Sequence, residues 1–384
     1  MIDETLLDDP DALVRADPHG LLRAVASAGA HVRTAVRGAE ESALGRLTPE
    51  GRPGTVLVAG TGPEVPLAAD LLAALAGDGT RVTRLVPTGA LAAPGALTWS
   101  LPRWAGPLDL LVIASAEGTA PGLALLVESA YRRGCAVVSV APAGSPLAEA
   151  TAHRRSLAVP FSPAPYAEPA GHPAAPGPAW ALITPLLLLG DRLGLFDADS
   201  AAVHAMADRL DAVAERCGPA VSTHGNVAKS LAAECAAALP LLWSEGPAAR
   251  AAARHGAATL TGLAGHPALT AELPEAFTAH GALLGGGPGR GPATDDFFRD
   301  RVEEPAPLHP RVVLLRSPLA DGDERRPPGP DGAAAAAREL AFAQGATFSE
   351  LETAGDSGPL GTAAELIAQL DFAAVYLTLA AARG

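Results

Sequence analysis

Short apolar runs alternate with amphipathic stretches along most of the chain. Runs of four to seven residues rich in Val, Leu and Ile are typical of strands buried on both faces, and apolar residues three or four apart predict helices. In the amino-terminal half, these runs predict strands at 55–59, 81–87, 108–114, 136–140 and 157–160. Because helical stretches separate them, we expect a mainly parallel sheet with helices on both faces.

The helical stretches continue this alternation into the second half of the chain. Two helices are predicted in 5–47, with a break near 17–20, and another follows the third strand and ends near residue 133. The other predicted helices lie at 66–76, 179–195, 198–216, 226–238, 247–263, 333–344 and 362–382. The later strands are predicted at 240–243, 312–315 and 346–350. The fold class is therefore α/β, with two lobes of similar size, the second poorer in clear strands.

Three loops rich in Pro, Gly and Ala interrupt the pattern, at 162–178, 285–294 and 318–332. Loops of this length and composition are typical of segments without regular structure. The predicted organisation places amino-terminal helices in 1–50, a first domain in 51–195, a bridging helix in 196–217 and a second domain in 218–384.

Charge and composition exclude several classes of protein. The net charge of −14 argues against nucleic acid as a partner, because phosphate backbones need clustered Lys and Arg. The best candidate membrane span, Trp180–Leu189, is too short to cross a bilayer, and the acidic amino terminus lacks the order of a signal peptide. We therefore expect a cytoplasmic protein with no membrane partner. Its cysteines, Cys135, Cys217 and Cys235, are too far apart for a CxxC site, so we expect small buried residues.

Two strand-to-helix turns carry small and hydroxylated residues. The first, GTGPEV (60–65), fails the dinucleotide-binding GxGxxG pattern because its third glycine would be Val65, so Gly60 and Gly62 indicate only a tight turn. The second runs from Ser115 to Thr119, and its hydroxyls together with the free N–H groups of the next helix suit an anion.

The second turn has a simpler interpretation as well. Thr119 could cap the helix that follows, with Pro121 at an early helical position. Glu117 favours this interpretation, because a carboxylate repels a bound dianion unless a cation intervenes. The anion site and the helix cap stay as alternatives.

One patch in the second half combines carboxylates with a histidine. ELPEAFTAHG (272–281) places Glu272, Glu275 and His280 within nine positions, which fits either an acid–base site or a solvated helix end. No histidine pair has HExxH spacing, so no metal site and no cofactor are expected.

Three collinear segments resemble one enzyme family. They are GPAVSTHGNVAKSLAAECAAALPLLWSEG (218–246), LPEAFTAHG (273–281) and ELIAQLDFAAVYLTLA (365–380). They are similar to the N-P-A-K-x-L-A helix, the L-P-E-x-N-H-N segment and the final helix of the bifunctional phosphoglucose/phosphomannose isomerases, which carry two sugar-isomerase (SIS) domains. LPRWAGPLDLLVIASAEGT (101–119) resembles that family's approach to its S-Y-S-G-N-T phosphate loop.

The resemblance implies a homodimer that interconverts aldose and ketose 6-phosphates without metal. Hydroxyls of the first lobe would hold the phosphate, and a glutamate would move a proton between C1 and C2. A histidine and a lysine near the carboxyl terminus would assist ring opening. The residues that it assigns to substrate binding are Gly60, Gly62, Ser115, Gly118 and Thr119. The candidates that it leaves for catalysis are Glu275, as a substitute base, and His280.

Several positions depart from the family's pattern. Glu64 stands where the family has a serine, and Glu117 replaces a second serine. PGPAWALI (176–183) lacks the family's arginine, TLTGLAG (259–265) lacks its catalytic glutamate, and His280 is displaced by two positions. The family's lysine would lie beyond Gly384.

Two hypotheses follow from these differences. The first is a sugar-phosphate-binding SIS protein of the glucose-6-phosphate/mannose-6-phosphate isomerase type with a largely degenerate catalytic set. The alternative is an inactive relative that serves as a regulatory sensor or a protein-interaction module. Isomerase activity itself is left open.

Overall fold

The chain folds into two compact units. The computed structural model describes residues 4–49, 51–89, 96–153, 156–161, 174–285, 309–316, 332–353 and 358–381. Residues 18–215 form the first unit, and residues 1–17 join 216–384 in the second unit. The predicted domain limits at 50, 195 and 217 stay a prediction. Apart from their end residues 285 and 332, the loops predicted at 285–294 and 318–332 lie outside the described residues, as does most of 162–178.

The first unit is built on a five-stranded parallel sheet of order β2-β1-β3-β4-β5. Its strands are β1 (Thr55–Gly60), β2 (Arg81–Arg84), β3 (Asp109–Ala114), β4 (Ala136–Ala141) and β5 (Leu157–Pro160). β1 is buried along its whole length, whereas the edge strand β2 begins and ends with an exposed arginine. Charged residues on an edge strand discourage pairing with other chains.

Helices cover this sheet. They are α3 (Leu21–Ala26), α4 (Ala28–Glu41), α5 (Glu64–Ala76), α6 (Pro121–Arg132), α7 (Pro146–Ala152), α8 (Ala179–Arg192) and α9 (Ser200–Arg216). Proline occupies the first turn of α6 and α7, where the missing N–H costs no helical hydrogen bond. The core between sheet and helices is aliphatic, with Leu57, Leu111, Ile113 and Leu123 fully buried.

The second unit repeats the plan with a four-stranded parallel sheet of order β7-β6-β8-β9. Its strands are β6 (Ala238–Glu245), β7 (Leu269–Glu272), β8 (His309–Arg316) and β9 (Thr347–Leu351). Its helices are α1 (Glu4–Leu7), α2 (Pro10–Arg15), α10 (Val227–Cys235), α11 (Pro247–Ala264), α12 (Ala276–Ala279), α13 (Gly281–Leu284), α14 (Gly332–Ala343) and α15 (Gly358–Ala381). The predicted fold class, two α/β lobes with mainly parallel sheets, is confirmed.

Two local predictions were wrong. The 5–47 stretch forms four helices rather than two, because residues 8–9 and Ser27 interrupt it in addition to the predicted break near 17–20. Strand β7 was not predicted, since it is a four-residue edge strand in which no residue is fully buried. The cysteines are free and buried, as predicted.

Helix α15 is the core of the second unit. Of its 24 residues, 20 are buried, and it packs along α11 and α10. With a mean hydropathy of 1.4 over its most apolar window, it is long and apolar enough for a membrane span, but 94% of that window is buried inside the protein. This is the burial of a core helix. By length and hydropathy, Gly358–Ala381 rather than the predicted Trp180–Leu189 is therefore the best candidate span.

A buried ion pair joins α11 to α15. The His255 Nε2 atom lies 2.7 Å from Asp371 Oδ1, and the two side chains are 13% and 4% exposed. Burial lowers the pKa of His255, but the Asp371 carboxylate raises it by more, so the net pKa is raised. The stabilisation that the His255–Asp371 pair gives the folded state is fully present below pH 6.5, the ordinary pKa of histidine. It is lost as the pH rises through the raised pKa of His255 in the folded protein.

We therefore predict that Asp371→Asn is more destabilising at pH 6 than at pH 9. At pH 6 the change removes the carboxylate that holds the buried imidazole in its charged form and should lower the free energy of unfolding by about 3 kcal/mol. At pH 9 a smaller fraction of the wild-type imidazole is charged, so less stabilisation is lost. Chemical denaturation of the wild type, Asp371→Asn, His255→Gln and the double variant measures the pair directly. An equal cost at both pH values would contradict the charged pair.

Candidate functional site

The ends of β1 and β3 bring two loops of the first unit together. In the parallel register Gly60 lies beside Ala114, so residues 61–63 and 115–120 leave the sheet at the same carboxyl edge. Ligands of open α/β sheets bind in the crevice at this edge. The loop hydroxyls meet there, because Thr61 Oγ1 lies 2.7 Å from Ser115 Oγ.

Ser115 connects the two loops from a buried position. Its side chain is 1% exposed, and its Oγ atom also accepts a hydrogen bond from the Gly118 N–H at 2.9 Å. Gly118 has a φ of +64°, and a Cβ atom there would lie 2.4 Å from the Ser145 Oγ atom. The turn therefore requires glycine at 118.

Thr119 lies on the outside of the second loop. Helix α6 begins at Pro121 with Ala120 as its N-cap, and no side chain accepts a capping hydrogen bond there. The interpretation of Thr119 as the helix cap was wrong, whereas the early helical position of Pro121 is confirmed. The Thr119 side chain is exposed, so its hydroxyl faces solvent beside the exposed Glu117.

A carboxylate lies over the first loop. Gly62 has a φ of +108°, and a Cβ atom built on it would lie 2.4 and 2.5 Å from the two carboxylate oxygens of Glu64. Only glycine therefore leaves room for this carboxylate, which also accepts a hydrogen bond from its own backbone N–H. That N–H belongs to the first turn of α5, where a negative charge is favoured.

The carboxylates of Glu64 and Glu117 make this edge of the sheet unfavourable for a bound anion such as phosphate. Burial raises the pKa of Glu64 to about 7, the hydrogen bond from its own backbone N–H lowers it, and the charge of Glu117 on the neighbouring loop raises it. At pH 8 the two loops thus present two carboxylates, whereas at pH 6 Glu64 is protonated. The crevice can change its charge near neutral pH.

In the second unit, His280 is held by a tryptophan. The Trp243 Nε1–H group donates a hydrogen bond to His280 Nδ1 at 2.9 Å, and the two rings stack with centroids 6.3 Å apart. This bond fixes the neutral tautomer with its proton on Nε2. Burial lowers the pKa of His280, whose side chain is 6% exposed.

Glu275 does not join His280. It lies at the start of α12 with an exposed side chain, and only its backbone carbonyl accepts hydrogen bonds, from the N–H groups of Thr278 and Ala279. Among the residues that the structure describes, no hydrogen bond or ion pair connects Glu275 to His280. The nearby Glu272 pairs with Arg250 at 3.3 Å.

Lys229 is structural. Its ammonium group donates to the carbonyls of Pro219 and Val221 at 2.8 and 2.7 Å and lies 5.4 Å from the centre of the Tyr376 ring. Its side chain is fully buried. It therefore secures the 218–226 segment before α10, whose first N–H groups bind the Asn226 side chain.

Sequence reasoning missed two residues of these sites. Thr61 lies between two glycines in a stretch that predicts only a tight turn. A hydroxyl directly after a strand is a signal that could have marked Thr61 as a candidate binding residue. Trp243 is 37 residues from His280, and no local pattern links them. Within the described ranges, no group of three or more His, Cys, Asp and Glu side chains could hold a metal ion.

Comparison with known proteins supports the predicted resemblance. Residues 224–384 match the family model of the bacterial phospho-glucose isomerase C-terminal SIS domain. Residues 224–384, in the second unit, are thus similar to a SIS domain of this type. None of the curated proteins matches the chain.

Solved structures extend the likeness over the whole chain. A glucose-6-phosphate isomerase like protein from Thermus thermophilus is 19% identical with a TM-score of 0.51, covering 97% of this chain and 92% of the other. Glucosamine-6-phosphate deaminase from Thermotoga maritima is 12% identical with a TM-score of 0.55, covering 95% of each chain. The C-terminal domain of glucosamine-fructose-6-phosphate aminotransferase from Francisella tularensis is 10% identical with a TM-score of 0.55, covering 94% and 96%. At these identities the likeness shows the fold.

The Glu64 carboxylate gives a prediction for stability. A carboxyl whose pKa rises from 4.5 to about 7 on folding contributes stability that is fully present below pH 4.5 and is lost as the pH rises through 7. Glu64→Gln should therefore raise the free energy of unfolding by about 3 kcal/mol at pH 8 and leave it unchanged at pH 4.

Denaturant unfolding at the two pH values measures this difference. Glu149→Gln is the matched control, since it removes an exposed carboxylate from α7 of the same unit. A gain in Glu64→Gln that is the same at pH 4 and pH 8 would contradict a raised pKa.

Proposed function

We propose that the protein binds a hexose 6-phosphate in the first-unit crevice and does not isomerise it. The observation that carries the proposal is the meeting of the Thr61 and Ser115 hydroxyls at the carboxyl edge of the sheet, on loops that also carry two carboxylates. The hydroxyl groups suit a phosphate, whereas the carboxylates of Glu64 and Glu117 oppose it and make its binding depend on pH.

Three features support phosphate binding. The two loops lie at the carboxyl edge of the parallel sheet, where α5 and α6 begin and where such folds bind ligands. The hydroxyls of Thr61 and Ser115 meet there, and the Thr119 hydroxyl faces solvent. The family relationship of the second unit and the fold of the neighbours support a phosphosugar as the ligand class.

The carboxylates set the condition for binding. A dianion close to two carboxylates is destabilised by several kcal/mol at most, less where water screens it. Protonation of Glu64 removes one of the two charges and leaves a donor in its place. The ligand should therefore bind the protonated form of the protein and take up about one proton at pH 8.

The second unit supports the absence of isomerase chemistry. Transfer of a proton between C1 and C2 needs a base about 3 Å from the carbon acid with a suitable pKa. His280 is neutral, and its Nδ1 lone pair accepts the Trp243 bond. The Glu275 side chain is exposed, and within the described part of the chain no hydrogen bond orients its carboxylate.

A second candidate function is a protein-interaction module that binds no sugar. The Ser115 hydroxyl favours it, since this group is 1% exposed and already bonded to Thr61 and Gly118. Such an internal network can maintain the fold without a ligand. The proposal further includes a homodimer in the cytoplasm, as the family resemblance implies, and the oligomeric state can be measured by light scattering.

Two assays on the full chain test the proposal. In the first, fructose 6-phosphate is incubated with the protein and the formation of glucose and mannose 6-phosphates is followed. We expect no turnover, because no oriented base is present. Turnover that disappears in Glu275→Gln or His280→Ala would show that these residues are catalytic and would overturn the proposal.

In the second assay, calorimetry measures the dissociation constant for fructose 6-phosphate at pH 6 and pH 8. Because the pKa of Glu64 is about 7, the fraction of the protein with Glu64 protonated, which is the form that binds the ligand, falls about tenfold from pH 6 to pH 8. The dissociation constant should therefore rise about tenfold. In the Glu64→Gln variant, the tenfold change in affinity that results from titration of Glu64 should be lost. No binding at either pH would favour the interaction module.

A further inference from the structure

A second cleft lies within the second unit, at the carboxyl end of strand β9. Its volume is about 460 Å³, within the range of small-molecule sites. The carboxyl edge of a parallel sheet is also where such folds bind ligands. The polar side chains that line it belong to Arg216, Glu350, Glu352, Thr353, Glu365 and Gln369.

Gln369 carries a buried hydrogen-bond acceptor. The side chain is 4% exposed, and its Nε2 group donates to the Glu352 carbonyl at 3.1 Å, which fixes the orientation of the amide. Among the residues that the structure describes, the buried Oε1 atom has no hydrogen-bond partner. Buried acceptors are nearly always satisfied in folded proteins, because an unmade bond is costly. A donor from a ligand would complete this group.

The charges of the cleft favour a cation. Glu365 is fully buried and pairs with Arg216 at 3.4 Å. Glu350 is neutralised from outside the cleft by Arg316 and Arg338, at 3.2 and 3.0 Å.

These pairs leave the exposed carboxylate of Glu352 in excess at the mouth of the cleft. A phosphate would be repelled here, whereas an ammonium group would be attracted.

We propose that this cleft binds an unphosphorylated amino sugar, whose ammonium group pairs with Glu352 and whose hydroxyl donates to Gln369 Oε1. A polyol with one amine provides both groups that the cleft lacks, several O–H donors and one positive charge. This site lies wholly in the second unit and does not depend on phosphate binding in the first.

The test measures binding of glucosamine, glucose and glucose 6-phosphate to the full chain by calorimetry and ligand-observed NMR. Glucosamine should bind the wild type more tightly than glucose does, and glucose 6-phosphate should not compete with it. Gln369→Leu should weaken glucosamine binding at least tenfold, because the buried acceptor is removed. The matched control Gln344→Leu changes the other glutamine, an exposed residue at the end of α14, and should bind as the wild type does.

A second variant keeps the proposal testable if Gln369→Leu misfolds. Glu352→Gln removes an exposed charge and should weaken glucosamine binding while leaving glucose binding unchanged. Absence of glucosamine binding to the wild type, equal affinity for glucose and glucosamine, or full binding by the Gln369→Leu variant would each overturn the proposal.

Discussion

The electrostatic cost of placing a carboxylate at the edge of the first-unit sheet governs the behaviour of this crevice. Glu64 accepts a hydrogen bond from its own backbone N–H, which lowers its pKa, but burial and the charge of Glu117 raise it to about 7. The loops that bring the Thr61 and Ser115 hydroxyls together thereby carry an anion of their own. In the proposed function, binding of a phosphate depends on whether that anion is protonated.

The scaffold makes this conflict unavoidable. Parallel pairing of β1 with β3 aligns Gly60 with Ala114, so the two loops leave the sheet side by side. The Thr61–Ser115 contact and the glycine turn at 118 then hold the loops in place. Because these contacts fix the loop backbones, Glu64 and Glu117 are carried by neighbouring segments at the same edge of the sheet. The same rigidity that would suit a phosphate keeps the two charges near each other.

Much of the fold could be predicted from the sequence, whereas the chemistry of the sites could not. Buried runs such as TVLVAG and DLLVIA between helical stretches are typical of inner strands, so their alternation with helices was sufficient to predict the α/β class with mainly parallel sheets. β7 was missed because LTAE has no apolar pattern of its own, and its place follows from pairing with β6. The bond from Trp243 to His280 depends on the return of the chain after β7, and the position of Glu64 over Gly62 depends on a backbone angle. Contacts of this kind arise from tertiary packing, which local spacing does not specify.

The most direct test of the account is the number of protons taken up when fructose 6-phosphate binds. Calorimetric titrations at pH 8 in two buffers with different enthalpies of ionisation give this number for the wild type and for Glu64→Gln. The account predicts uptake of about one proton by the wild type, since Glu64 must be protonated for the dianion to bind, and uptake near zero by the variant. Tight binding by the wild type without proton uptake would contradict it.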